Sequence, residues 1–246
     1  IMQTMAWLGL AALEDVARID LALRLGAEPR LDQTTTAVAD SPLAPALQAP
    51  ADPDAWRAAW RRLPPGPRLM AYAGSWHTAG WNGYLRHLLA SLDDAPVAGL
   101  AIGDDLLASM DRMLQRFGNS GATSLSADPA RLMQQSMVMT LSDGDGLLTD
   151  LDTVLTAVAA SSLADIYATI AMPLAPELTR AVRAVDGTEV HRMRIFGDVD
   201  PADLPGPAAD WMRSSMAPVE LAVANGWYLA AQHGPDLDAM LAGPRD

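Results

Sequence analysis

The segment "AGSWHTAGW", residues 73–81, places a serine and a histidine two positions apart between tryptophans. Ser75 and His77 are the residue types of a hydrolase with a serine nucleophile and a histidine base. The strained turn that carries such a serine requires small residues two positions before it and two positions after it. Ala73 meets this requirement, but the second position holds His77. The segment therefore favours a flexible, glycine-containing connection between a strand and a helix. Hydrolysis by Ser75 is the least favoured function.

The acidic segment "SDGDGLLTDLD", residues 142–152, resembles a calcium loop at first sight. A loop of this kind that starts at Asp143 would lack the oxygen ligand at its fifth position, the glycine at its sixth and the glutamate at its twelfth. Thr149 and Asp152 instead have the spacing of a helix capping box. No histidine pair has metal-ligand spacing, and the chain has no cysteine. We expect neither a metal nor a cofactor.

Tryptophans are concentrated in one part of the chain. Four of the seven lie between positions 56 and 81, namely Trp56, Trp60, Trp76 and Trp81. The first two lie within a proline-rich stretch, residues 40–67, that predicts a surface crossing, and the other two follow it. Because each ring contributes a large apolar area and one donor, the group could form an apolar pocket or a partner surface. Packing in the core or as a surface cap is the favoured explanation.

Arginines are concentrated in a predicted hairpin. Residues 177–185 and 188–196 are joined by Asp186-Gly187, a dipeptide typical of two-residue turns. This turn would place Arg183 opposite Val190 and put Arg192 and Arg194 on the same face. Such a face could bind an acidic partner or an anionic headgroup, although a solvated sheet face is the favoured explanation. His191 alternates with these arginines, which predicts a buried or half-buried core histidine.

Composition limits the classes of partner. The 246 residues include 17 basic residues, all arginine, and 30 acidic residues, which gives a net charge of −13. Such an acidic surface disfavours nucleic acid and anionic membranes. We find no apolar run long enough to span a bilayer. The chain starts at Ile1 rather than methionine, which is consistent with removal of either a signal peptide or another upstream region. We expect a periplasmic or otherwise extracytoplasmic location, with the cytoplasm as the alternative.

Hydrophobic periodicity predicts the fold. Strand pairs followed by a helix occur at residues 18–48 and again at 121–160, and a second hairpin turn is predicted at Asn225-Gly226. We predict an α+β fold in which helices pack mainly on one face of an antiparallel sheet, either flat or curved. The whole chain, 1–246, would form a single domain. Two similar strand–strand–helix lobes, 1–100 and 101–246, are the alternative.

The segments "VDGTEVHRMRI" and "VELAVANGWYLAAQHGPDLDAML" resemble uncharacterised exported bacterial protein families built from repeated strand-pair and helix units. The resemblance covers about the last half of the chain and implies an extracytoplasmic location without known catalytic residues. Phosphate loops, dinucleotide fingerprints and plausible triads are all missing from the sequence. We therefore expect a non-enzymatic binding or structural subunit that contacts other proteins in a homo- or hetero-oligomer. A carrier of an apolar ligand or lipid is the second hypothesis, since 13 methionines offer adaptable lining.

Overall fold

The computed structural model describes residues 13–24, 30–48, 52–91, 103–128, 134–168, 173–197 and 216–244. The chain divides into two compact units. The smaller unit contains residues 1–50 and 76–102, and the larger contains residues 51–75 and 103–246. The sequence-based lobes differ from these units at residues 51–75, which belong to the larger unit, and at residues 101–102, which belong to the smaller one. The single-domain division stays a prediction.

The smaller unit joins a two-stranded sheet to helices. Its antiparallel strands are β1 (Val16–Arg24) and β2 (Arg30–Ala37), and its helices are α1 (Ala44–Leu47) and α3 (Thr78–Ala90). The core is formed by Leu43, Ala46 and Tyr84. Gly80 is required where α3 crosses α1, because a Cβ at this position would lie 2.5 Å from the Pro45 carbonyl oxygen. The glycine thus allows the close approach of the two helices.

The alternating strand β1 predicts one buried face, but the structure leaves the described part of that face uncovered. Ile19 is 47% exposed and Leu21 is 64% exposed. Two strands of this sheet lie in the described part of the chain, and such a pair buries little apolar surface unless another layer packs on it. The alternation of apolar and polar residues therefore predicted the strand correctly, but its prediction that the apolar face is buried was wrong.

The larger unit is built on a seven-stranded sheet in the order β3-β4-β5-β9-β8-β7-β6, and all neighbours pair antiparallel. The strands are β3 (Arg68–Ser75), β4 (Phe117–Ser126), β5 (Gln135–Leu141), β6 (Leu174–Val185), β7 (Thr188–Phe196), β8 (Val219–Ala224) and β9 (Trp227–Ala231). Its helices are α2 (Pro53–Arg62), α4 (Asp104–Gln115), α5 (Leu147–Ala159), α6 (Ser162–Ala168) and α7 (Gly234–Leu241). The α+β class with an antiparallel sheet is confirmed. Among the described residues, no helix is both long and apolar enough to cross a membrane.

Helices cover both faces of this sheet, whereas the sequence predicted them mainly on one. Val138 and Leu229 belong to the core under α2 and α7. Their strand neighbours Met139 and Tyr228 belong to a second core under α5. Since consecutive strand residues point to opposite faces, the two cores lie on the two sides of the sheet. Each side therefore has its own candidate surface for a ligand.

Both predicted hairpin turns are confirmed. The φ angles are 47° and 82° at Asp186-Gly187, and 51° and 77° at Asn225-Gly226. Positive φ at both central residues is the requirement of a type I′ turn, which matches the twist of the flanking strands. The first turn pairs Arg183 with Val190, as the sequence predicts.

The start of α5 differs from the predicted capping box. The helix begins at Leu147, and its N-cap is Gly146 in the left-handed conformation, without a side-chain cap. Thr149 lies inside the helix, where its backbone N–H donates to the Gly146 carbonyl at 2.9 Å. The turn that Gly146 makes starts the helix two residues before the predicted box.

Candidate functional site

An apolar cavity of about 220 Å³ lies on the α5 side of the sheet. Three methionines reach it from different segments: Met137 from β5, Met193 from β7 and Met216 from the residues before β8. Phe196 and Tyr228 contribute the aromatic part of the wall. An apolar cavity of roughly 150 Å³ is known to hold benzene, so this one has room for a somewhat larger molecule.

None of the described residues that line the cavity carries a charged side chain. Its polar members are Gln135, Gln232 and Tyr228. Gln232 ties the rim together, since its Oε1 accepts from the Gln135 backbone N–H at 2.8 Å and its Nε2 donates to the Ala217 carbonyl at 3.2 Å. A wall of methionine and aromatic groups with a few fixed polar groups is the usual composition of a small-molecule site.

Tyr228 is the most perturbed polar group of the wall. Burial raises the pKa of its phenol to about 12, because the anion would be poorly solvated there. The ring packs edge-on against Phe117, with ring centroids 5.4 Å apart. No residue in the described part of the chain forms a hydrogen bond with its hydroxyl. A buried tyrosine hydroxyl usually has a partner, so Tyr228 is available to a ligand as donor or acceptor.

The serine and histidine of residues 73–81 have structural contacts. The Ser75 hydroxyl lies 3.0 Å from the Ser120 hydroxyl and donates to the Asp52 carbonyl at 3.2 Å. His77 Nδ1 accepts from the Gly80 backbone N–H at 3.2 Å, so the imidazole satisfies a donor in the first turn of α3. Ser75 belongs to the larger unit and His77 to the smaller one. The observed contacts describe a strand end and a helix cap.

The four clustered tryptophans divide between the two units. Trp56 and Trp60 lie on α2 in the larger unit, whereas Trp76 and Trp81 belong to the smaller one. Trp81 packs at 5.8 Å from Tyr84 and contributes to the core of its own unit. Trp60 is 40% exposed. As binding residues all four stay a prediction, and Trp60 is the ring with most surface to offer.

The arginines of the predicted hairpin lie together on one sheet face, and each has a carboxylate partner. Arg183 and Arg192 both bind Glu220, at 2.8 and 2.9 Å. Arg194 Nη2 lies 3.2 Å from Glu177 Oε2. The hairpin sequence places the cations correctly, but the partners come from β8 and β6. Their role in binding an anion stays a prediction, with their charge already balanced inside the protein.

His191 lies in a bulge of the sheet. Three residues of β6 oppose His191 alone, because the register shifts between Thr179 and Arg183. His191 Nδ1 accepts from the Ala181 backbone N–H at 3.1 Å, and Ala181 has a φ of 51°. The histidine is 4% exposed, as the buried alternative in the sequence predicts. Its ring therefore stabilises the bulge, because it accepts a hydrogen bond from a backbone N–H that has no partner in the strand ladder.

The acidic loop before α5 is organised by an arginine. The Arg116 guanidinium contacts the Asp143 carboxylate and the Asp145 carbonyl, and its Nε donates to Asp150 at 2.7 Å. These contacts raise the pKa of Arg116, the hydrogen bond with Asp150 being the largest cause. A guanidinium therefore occupies the position that a cation would take in this loop. The sequence lacked a signal for this contact, since Arg116 is 27 residues from Asp143.

Comparison with known proteins found no relative: no protein-family model matches the chain, and neither a curated protein nor a solved structure is significantly similar to it.

Proposed function

We propose that this chain is a non-enzymatic binding protein whose larger unit takes up a small, uncharged, apolar molecule. The observation that carries the proposal is the cavity of about 220 Å³ among Met137, Met193 and Met216, whose described lining residues are all uncharged. Methionine side chains adapt to the shape of an apolar guest. The unpartnered hydroxyl of Tyr228 would give such a guest one directional contact.

The occupant is expected to be uncharged for an energetic reason. A charged group entering this wall would lose its hydration and meet no opposite charge, which is costly. A compact apolar body with at most one hydroxyl or carbonyl group avoids this cost. Such a body could be a whole small molecule or one end of a lipid.

The test is titration of the protein with p-xylene, followed through the methyl signals of ¹³C-methyl-methionine by NMR. We expect saturable shifts at Met137, Met193 and Met216, while Met110 of α4 and Met240 of α7 stay unchanged. The variant Ala230→Leu would fill the cavity from its wall and abolish the shifts. Ala184→Leu is the matched control, because it adds the same side chain at an exposed position of β6. Equal shifts in both variants, or no saturation in the unsubstituted protein, would contradict the proposal.

A second candidate function, assembly with another protein, is favoured by the exposed edge of the sheet. β3 is an edge strand that pairs only with β4 among the described strands. It exposes Leu69, Met70 and Tyr72 by 59%, 55% and 59%. Exposed apolar edge strands tend to pair with another strand. The partner that this edge fits most simply is a second copy of the chain, since two identical edges pair antiparallel about a two-fold axis.

Light scattering tests the assembly directly. We expect a mass above the 26.1 kDa of one chain, and we expect Leu69→Lys combined with Tyr72→Lys to return it to that value. Leu47→Lys is the control, because Leu47 is an exposed leucine on α1 outside this edge. A protein that is monomeric at high concentration would exclude the homo-oligomer.

Export belongs to the same proposal. It is supported by the resemblance of the last half of the chain to exported families of repeated strand-pair and helix units. Fractionation of the source cells with an antibody against the protein would test it, and recovery with the cytoplasmic fraction alone would contradict it.

A further inference from the structure

Three arginines converge on a second pocket, on the opposite side of the sheet from the apolar cavity. Arg61 and Arg62 end α2, the chain turns through a proline-rich segment, and Arg68 opens β3. All three line a pocket of about 260 Å³ together with Trp60. The short connection between helix and strand brings the three cations together.

These arginines differ from those of the hairpin because no carboxylate pairs with them. Within the described residues, Arg61, Arg62 and Arg68 form no ion pair, and no acidic side chain lines the pocket. Arg183, Arg192 and Arg194 each bind glutamate in the same unit. In a chain with a net charge of −13, three neighbouring unpaired cations are unexpected. The protein thus has excess positive charge at one place.

Aromatic rings hold two of the guanidinium groups. Arg68 Cζ lies 5.2 Å from the centre of the Trp60 ring, and Arg62 Cζ lies 4.9 Å from the centre of the Trp227 ring. Cation–π contact restrains a guanidinium while its edge keeps N–H donors free. Arg68 also donates from Nη2 to the Pro64 carbonyl at 2.8 Å. The two side chains are therefore held in place before any ligand arrives.

Arg68 carries a donor that the protein leaves unused. Its Nε is buried and has no hydrogen-bond partner among the described residues. Burial also lowers the pKa of Arg62 and of Arg68, because their charged groups are partly desolvated and no carboxylate among the described residues pairs with them. Burying a charge without a partner is unfavourable. An anion in the pocket would remove this penalty.

The dipole of α2 explains part of the cluster. Arg61 and Arg62 lie in the last turn of the helix, where positive charge is favoured by the free carbonyl groups. Arg68 belongs to β3 and is restrained by Trp60 instead. The helix dipole therefore explains why Arg61 and Arg62 lie here, but it does not explain the position of Arg68.

We propose that Arg61, Arg62 and Arg68 form a binding site for a small oxyanion, the phosphate or carboxylate group of a small molecule. Guanidinium groups bind such oxygens through paired N–H donors. The pocket volume of about 260 Å³ leaves room for a small organic body behind the anionic group. This site is separate from the apolar cavity, and its charge suits a different ligand.

The test compares two triple variants that change the net charge equally. Arg61→Gln, Arg62→Gln and Arg68→Gln together remove the site. Arg18→Gln, Arg57→Gln and Arg112→Gln together are the matched control, because these arginines lie outside the pocket. Each protein is titrated with inorganic phosphate and with succinate at constant ionic strength, by calorimetry. We expect saturable binding to the unsubstituted protein and the control, and at least tenfold weaker binding to the site variant.

Two further measurements test the site even if the triple variant does not fold. NMR of the arginine Nε–H groups should show the Arg68 signal shifting with the added anion in the unsubstituted protein. Arg61→Gln alone, an exposed position, should weaken binding if the triple variant does not fold. The phosphate and succinate arms decide which oxyanion is preferred. Binding of neither anion, or equal binding to both triple variants, overturns the site. The p-xylene titration is expected to be unaffected by the site variant, so the two proposals fail independently.

Discussion

Arg183 Nη2 lies 2.8 Å from Glu220 Oε2, and the carboxylate of Glu220 also binds Arg192. Arg183 reaches Asp238 of α7 as well, at 2.6 Å. One glutamate of β8 thus bridges two arginines of the hairpin, and one of these arginines links the hairpin to the last helix. This relationship connects three elements that are distant along the chain.

Replacing Glu220 with glutamine should destabilise the larger unit. The side chain of Glu220 is 13% exposed, and its loss leaves two guanidinium groups without their shared acceptor. We expect the free energy of unfolding to fall by about 1–3 kcal/mol, measured by urea denaturation. Glu177→Gln is the control, because Glu177 is 57% exposed in its pair with Arg194, and it should cost at most about 1 kcal/mol. Equal losses in both variants would contradict this prediction.

The contribution of Glu220 should depend on pH in the acid range. Burial alone would raise the pKa of Glu220, but hydrogen bonds from Arg192 and Arg183 bring it below its ordinary value of 4.5. A carboxyl whose pKa is lower in the folded state stabilises that state above the ordinary pKa. This stability is lost as the pH falls through the folded value. The difference in unfolding free energy between the parent protein and Glu220→Gln should therefore shrink below about pH 4.5, and a constant difference would contradict the assignment.

His191 should make the protein less stable in mild acid. Burial lowers the pKa of His191 below 6.5, Glu189 opposes this shift and Arg180 adds to it. The unfolded chain binds a proton at a higher pH than the folded one, so stability is complete above about pH 6.5 and declines as the pH falls towards the folded pKa. His191→Gln keeps an acceptor for the Ala181 N–H without titrating. Urea denaturation at several pH values should show a shallower decline in this variant, and identical slopes would contradict the prediction.

Two glycines should respond oppositely to the same substitution. Gly226 has a φ of 77° in its hairpin turn, so Gly226→Ala should cost about 1–2 kcal/mol. Gly83 is an exposed position of α3 with open space where an added methyl group would lie, so Gly83→Ala should stabilise the helix by about 0.5–1 kcal/mol. Thermal unfolding followed by circular dichroism measures both. A stabilising Gly226→Ala would show that this turn is not type I′.

Replacing a buried and an exposed leucine of the sheet should have different effects on stability. Leu229 is 1% exposed in the core under α2 and α7, and Leu229→Ala should cost about 2–5 kcal/mol through lost burial and the cavity it leaves. Leu69 is 59% exposed on β3, so Leu69→Ala should leave the unfolding free energy of the monomer within about 0.5 kcal/mol. Its effect is expected on assembly instead, which light scattering would detect.

Local patterns predicted much of the fold. Both predicted glycine-containing turns are observed, and the first pairs Arg183 with Val190 as predicted. These features succeed because alternation and positive φ are properties of neighbouring residues. Two predictions were wrong. The burial of one face of β1 depends on what packs against the strand, and the capping box at Thr149 depends on the turn that Gly146 makes before the helix.

The sequence by itself determined the antiparallel α+β class, the hairpin turns and the positions of the arginines, since each follows from residue type and short spacing. Only the tertiary structure decided which arginines are neutralised and where the apolar space lies. Glu220 comes to Arg183 across 37 residues, and the cavity is lined by residues from 135 to 232. Ion pairs and cavities are made between elements, so their chemistry depends on how the sheet is assembled.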